Sequence, residues 1–164
     1  VRPMGRTAAG VRGIRIEDDN EVIALIAVSP EDAERFILLG TQNGFGKRTP
    51  VSDFPLQRRG GQGVIAIKTS ERNGSVVGAA LVSEEDETML ITNGGTLVRT
   101  QIKDISAMSR NTQGVTLIRL SEGELLTEIE AVQSLSDETE TDLASDAAAD
   151  TNDNPAADDS ALSD

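Results

Sequence analysis

The sequence predicts an all-β, propeller-like repeat protein, and two observations carry that expectation. Short runs of branched apolar residues alternate with polar or glycine-bearing turns, about four runs per 50 residues. The pattern also repeats: Gly10, Gly63 and Gly114 are 53 and 51 residues apart, each preceded by an arginine four positions back (Arg6, Arg59, Arg110) and followed by a basic residue five positions on (Arg15, Lys68, Arg119). A period near 50 with four strands per unit is the signature of a blade. Two complete blades and part of a third are expected, with the first repeat at 1–54, the second at 55–105 and the third at 106–135.

In the first repeat, 11–16 reads as a short strand and 17–20 as a polar turn. Val22 to Val28 is a continuous apolar run, expected to be an inner, well-covered strand. Residues 35–39 form the next strand, Gln42-Asn43-Gly44 its turn, and 45–49 a fourth strand. Gly46, Lys47 and Pro50 suit an exposed edge there.

The second repeat follows the same plan. Residues 64–69 form a strand, and Glu71-Arg72-Asn73-Gly74 a hairpin turn. Val76 to Val82 forms an inner strand in which Gly78 and Ala79 permit close backbone approach. Glu87 to Thr92 and Thr96 to Thr100 complete the unit. Arg48-Thr49 and Arg99-Thr100 are 51 residues apart, as are Asp53 and Asp104, which are expected to brace the crossing between blades. The third repeat carries strands at 115–120 and 124–132 only. Phe36, Phe45 and Phe54 are the only aromatic residues and are read as packing residues.

Charge is unevenly placed. Of 28 acidic residues, ten fall in 136–164, where there is no basic residue; the first 135 residues carry a net charge of only −3. The stretch 136–164 is poor in apolar groups and is expected to be a disordered acidic tail. With no cysteine, histidine or tyrosine, disulfides, thiolate chemistry and the usual sulfur–imidazole zinc sites are excluded. No metal site is expected; the carboxylates at 84–87 read as a solvated turn. No apolar run approaches the roughly 18 residues of a membrane span. A soluble, cytoplasmic setting is the expectation. Val1 reads as the middle of a longer chain, and the fragment alone is expected to be poorly stable.

The chemistry lies in the basic turns. In Gln57-Arg58-Arg59-Gly60-Gly61-Gln62-Gly63, Gly60, Gly61 and Gly63 permit tight or left-handed backbone and leave peptide N–H groups open to an anion. Arg58 and Arg59 add planar forks matched to phosphate oxygens. Nothing there reads a base edge, so the pattern suits phosphate-backbone contact. A nucleotide phosphate loop is excluded, because strand rather than helix follows the glycines. The candidate backbone-binding set is Arg58, Arg59, Gly60, Gly61 and Gly63, then Arg6, Arg110, Lys68, Arg15 and Arg119, and on the outer strands Lys47, Arg48 and Arg99. Arg72 and Lys103 are further candidates. No catalytic residue is expected.

The 57–63 turn resembles the glycine–arginine box of the gyrase A family of DNA topoisomerases. Thr69-Ser70-Glu71-Arg72-Asn73-Gly74 with Val76-Val77-Gly78-Ala79 is also similar to that family. So are Gly95-Thr96-Leu97-Val98-Arg99-Thr100 and Ser109-Arg110-Asn111-Thr112-Gln113-Gly114-Val115. The resemblance covers essentially 1–133. It implies a partial β-pinwheel that binds and wraps duplex DNA without sequence preference. The implied setting is DNA gyrase, an assembly of two gyrase A and two gyrase B proteins that introduces negative supercoils by ATP-dependent strand passage. ATP and magnesium would enter through gyrase B and the cleavage core, and the catalytic tyrosine would lie elsewhere in gyrase A. The family's box has a basic residue at its sixth position, where this chain has Gln62, and its central box belongs to the first blade. The 57–63 turn is then either the principal box or a degenerate copy in a later blade. The alternatives are the C-terminal region of the corresponding topoisomerase IV protein and a protein-interaction propeller that binds no DNA.

Overall fold

A computed structural model describes residues 3–134, and its regular structure is antiparallel sheet joined by turns and short 3-10 segments. Seven strands form: β1 (Phe36–Thr41), β2 (Phe45–Pro50), β3 (Val76–Val82), β4 (Glu87–Thr92), β5 (Leu97–Gln101), β6 (Val115–Thr116) and β7 (Leu126–Val132). They make a four-stranded sheet in the order β3-β1-β2-β6 and a three-stranded sheet in the order β5-β4-β7.

The sheets cut across the sequence repeats. The first takes β1 and β2 from residues 1–54, β3 from 55–105 and β6 from 106–135. Each sheet is therefore stitched by hydrogen bonds to chain from another repeat.

The sheets meet at a hollow that glycine makes. Gly40 and Gly78 are cross-strand partners on β1 and β3. A Cβ on either would lie 2.8 Å from the Ile129 side chain of β7, so their bare backbones let Ile129 sit against the sheet. Around it Leu38, Val82, Leu90, Ile102, Ile105, Ile118 and Leu126 form the buried core. Phe36 packs at its edge.

The repeat is visible in backbone conformation. Gly10, Gly63 and Gly114 have φ of 83°, 77° and 79°, and Gly44 and Gly95 have 78° and 82°. In each case the chain adopts a left-handed turn that a side chain would oppose. The 3-10 turns Val51–Asp53 and Ile102–Asp104 also recur, each closed by a 3.0 Å bond back from the following residue, Phe54 or Ile105.

Four expected strands differ; one of them, 115–120, is ladder only at Val115–Thr116, where it pairs with Phe45 and Gly46 of β2. Residues 11–16 and 22–28 form no strand, and Leu25 is 96% exposed rather than covered. A strand exists only within a ladder, and no described segment is assigned as a ladder partner to 22–28. Residues 64–69 are likewise irregular, because their neighbour is the glycine-bearing turn at 110–114 and not a strand. The described residues form one four-stranded and one three-stranded sheet.

The edge reading of β2 is also overturned. Its outer side is covered by β6 and by 105–110, so Gly46, Lys47, Arg48 and Thr49 are all buried. The acidic turn is not wholly solvated either. Asp86 is buried and accepts bonds from Ser83 N (2.7 Å) and Ser134 N (3.2 Å). The expected tail, 136–164, lies outside the described residues.

Candidate nucleic-acid interface

Consecutive basic turns are joined to one another. Gly60 N donates to Gly13 O (2.8 Å) and Arg15 N donates to Gly61 O (2.8 Å), so the second turn lies against the segment that follows the first. One repeat later Lys68 N donates to Thr112 O (2.9 Å), and the Arg110 guanidinium donates to Ile65 O (3.2 Å). The basic residues five after Gly10 and Gly63 are thus pinned two residues before the next glycine of the series, Gly63 and Gly114. Gly60 is left-handed as well (φ 75°), but its N–H is used inside the protein and is not open to an anion.

The hairpin after the second turn locks this contact. Asn73 is fully buried and fills all its bonding positions. Its carbonyl accepts from Ser70 N (2.8 Å) and Ser70 Oγ (3.2 Å), and its amide donates to Lys68 O (3.0 Å) and Gln113 O (3.1 Å). Replacing it with alanine strands the Lys68 and Gln113 carbonyls and the Ser70 N–H, and is expected to cost about 2 kcal/mol. Urea unfolding of Asn73→Ala should show the midpoint fall; an unchanged midpoint would remove Asn73 as the staple. Sequence reasoning read Asn73-Gly74 only as a turn signal.

The predicted cations divide into two groups. Arg6, Arg15, Arg58, Arg59, Lys68 and Arg119 are exposed and Arg110 is half-buried. Arg12, absent from the predicted set, is exposed in the segment that pairs with the second turn. Arg6 stands in a turn closed locally by Ala8 N to Gly5 O (3.1 Å). Gln62 and Arg15 line one shallow cleft with Ile16 and Glu17. Among the described residues, the ion pairs involve Arg35, Arg48 and Arg99, and none involves the joined turns.

Lys47 and Arg48 are not surface cations. Lys47 Nζ donates to Ser109 O (2.6 Å) and Arg110 O (2.5 Å). Burial, helped by the nearby Arg110 charge and opposed by Asp53, lowers its pKa to about 8. Arg48 Nε donates to Ile105 O (2.7 Å), its NH1 meets Glu84 (2.6 Å), and its head lies 4.5 Å over the Phe36 ring. Arg99 is exposed on β5 but paired to Glu87. Arg72 stacks on Phe45 at 4.4 Å and donates to Gln113 Oε1 (3.2 Å).

The sheets and their recurring glycine turns define a repeat protein of the β-propeller class whose inter-repeat turns carry basic groups with no ion-pair partner among the described residues. A family described as the DNA gyrase C-terminal domain, beta-propeller, matches residues 1–29, 35–83 and 86–133. The chain belongs to this family. It is 51% identical over 142 residues to the DNA gyrase A protein of Salmonella typhimurium, covering 87% of this chain and 16% of that protein. It is 50% identical over 143 residues to the DNA gyrase A protein of Pseudomonas aeruginosa, covering 87% and 15%. The chain thus spans about a sixth of the length of these relatives. Among solved structures, a DNA gyrase A C-terminal domain superposes with a TM-score of 0.56 at 29% identity, over 58% of this chain and 33% of that one. The C-terminal domain of DNA topoisomerase IV superposes with a TM-score of 0.67 at 20% identity, over 76% and 38%, a likeness of fold.

Proposed function

We propose that this chain binds duplex DNA by its phosphates and wraps it without sequence preference, as part of a gyrase that supercoils DNA. The observation that carries the reading is the joined series of basic turns whose cations have no carboxylate partner among the described residues, while Arg35, Arg48 and Arg99 do. Guanidinium groups on successive repeats, with no carboxylate partner among the described residues, suit successive phosphates along one curved duplex. Bending a duplex over tens of base pairs costs on the order of 1–6 kcal/mol. Several charge-assisted contacts, each worth roughly 1.5–3 kcal/mol, offset it. Membership of the gyrase C-terminal family supports the same reading.

In this reading the partners are duplex DNA, a second gyrase A protein and two gyrase B proteins. ATP hydrolysis and magnesium belong to those other parts of the assembly, and the setting is the bacterial cytoplasm. The test is plasmid topology. Relaxed plasmid bound by the full-length protein is treated with a nicking-closing enzyme, and a shift in linking number is expected. Binding at low salt without any shift would reduce the reading to simple DNA binding. No binding at all would leave a protein-interaction module.

A further inference from the structure

Three consecutive residues of β2 hold the segment that enters the third basic turn. Arg48 N and Nε donate to Ser106 O (3.3 Å) and Ile105 O (2.7 Å), while Arg48 O accepts from Met108 N (2.9 Å). Thr49 Oγ1 donates to Met108 O (2.8 Å). Lys47 completes the clamp at its far end, with both bonds falling on the carbonyls of Ser109 and Arg110. A fully buried ammonium is costly, and an apolar residue would fit most such sites better. The repeat offers that comparison: the position 51 residues on is Val98, on β5, which forms the edge of its sheet.

We propose that Lys47 is a positioning residue for phosphate at the third basic turn: its buried ammonium holds the Ser109 and Arg110 carbonyls and fixes where the Arg110 guanidinium stands. This rests on the reading of that turn as a phosphate contact. The charged groups facing Lys47 are Arg110 on the incoming segment, which opposes its charge, and Asp53 after β2, which favours it. Its partner on β1 is Leu39, and β6 contributes Val115 and Thr116, none of them charged. A phosphate at Arg110 would offset the opposing charge, so binding favours the protonated amine and loss of the proton weakens binding. The neutral amine keeps two N–H donors, enough for both carbonyls, so the turn survives deprotonation while its charge does not.

Two signs therefore oppose each other. The folded-state pKa is about 8 against 10.5 for the free side chain. The folded chain releases this proton first as pH rises, so folding stability increases from about pH 8 towards 10.5. DNA affinity falls over the same onset. A merely structural lysine would move stability alone. These 164 residues hold no histidine, cysteine or tyrosine, and groups elsewhere in the full-length protein titrate alike in wild type and Lys47→Arg, so the difference between those two profiles is what reads Lys47.

The experiment measures affinity of the full-length protein for a mixed-sequence duplex at pH 7 and pH 9, with thermal unfolding in parallel. Wild type is expected to bind about fivefold more weakly at pH 9, while its unfolding temperature rises relative to Lys47→Arg. Lys47→Arg should keep tight binding with a flat profile, because its charge does not titrate. Lys47→Met should bind weakly at both pH values, with faster hydrogen exchange at the Lys68 amide. Wild type with a flat binding profile overturns this proposal alone, as does Lys47→Met with wild-type affinity. Should Lys47→Met fail to fold, the wild-type and Lys47→Arg profiles still decide. No DNA binding at either pH overturns the phosphate reading, and this proposal with it.

Discussion

Alanine at position 46 is expected to destabilise the domain by about 4 kcal/mol, a large part of the roughly 5–15 kcal/mol that holds a typical domain together. A Cβ there would lie 2.2 Å from the carbonyl oxygen of Leu39 and 2.4 Å from Leu117 Cδ1. The Leu117 side chain has rotamers to escape into; the Leu39 oxygen is backbone of β1, the strand paired with β2 from Gly46 to Pro50. Relief requires β2 to move away from β1, breaking the ladder that carries Lys47, Arg48 and Thr49 to the third turn. Gly114 makes the same point from the other side, since its Cβ would lie 2.5 Å from Gly46 O at a φ of 79°. Thermal unfolding of Gly46→Ala in the full-length protein checks this. A midpoint within about 2 °C of wild type would mean that the two strands have slack.

That contact also shows what the sequence could and could not reveal. The glycine register at 10, 63 and 114 is legible because left-handed backbone selects glycine directly, and the three φ values agree within a few degrees. The inner strand at 76–82 is legible because Gly78 among branched residues signals close approach, and Ile129 is what approaches. Arg48-Thr49 and Arg99-Thr100 read alike, yet Arg48 is buried and Arg99 exposed. The difference comes from segment 105–110 and β6 lying over β2, a long-range event that leaves no mark within the Arg-Thr pair itself. Lys47 reads as an edge cation for the same reason: lysine signals exposure until two backbone carbonyls happen to be aimed at it. The apolar run 22–28 shows the converse, since composition proposes a strand but a neighbouring ladder has to supply one.

The second large effect concerns the turns themselves. Reversing both charges, Arg58→Glu with Arg59→Glu, is expected to weaken binding to a mixed-sequence duplex roughly 100-fold at low salt, taking each charge-assisted contact at its lower value of about 1.5 kcal/mol. The salt dependence should change with it: losing two phosphate contacts lowers the slope of log affinity against log salt by about 1.8. Both side chains are exposed and no described carboxylate pairs with either, so the substitution removes free positive charge without opening the core. Arg99→Gln is the matched control. Arg99 is exposed too, but Glu87 already holds its guanidinium, so that variant should bind within about twofold of wild type and keep the full salt slope. The double variant changes the charge by −4 and Arg99→Gln by −1, so a loss from Arg99→Gln about one quarter as large on a log scale would mean that affinity follows total charge and not the joined turns. A double variant that keeps both affinity and slope would mean that DNA does not reach the second turn, and would shift the interface to Arg110, Lys68 and the third.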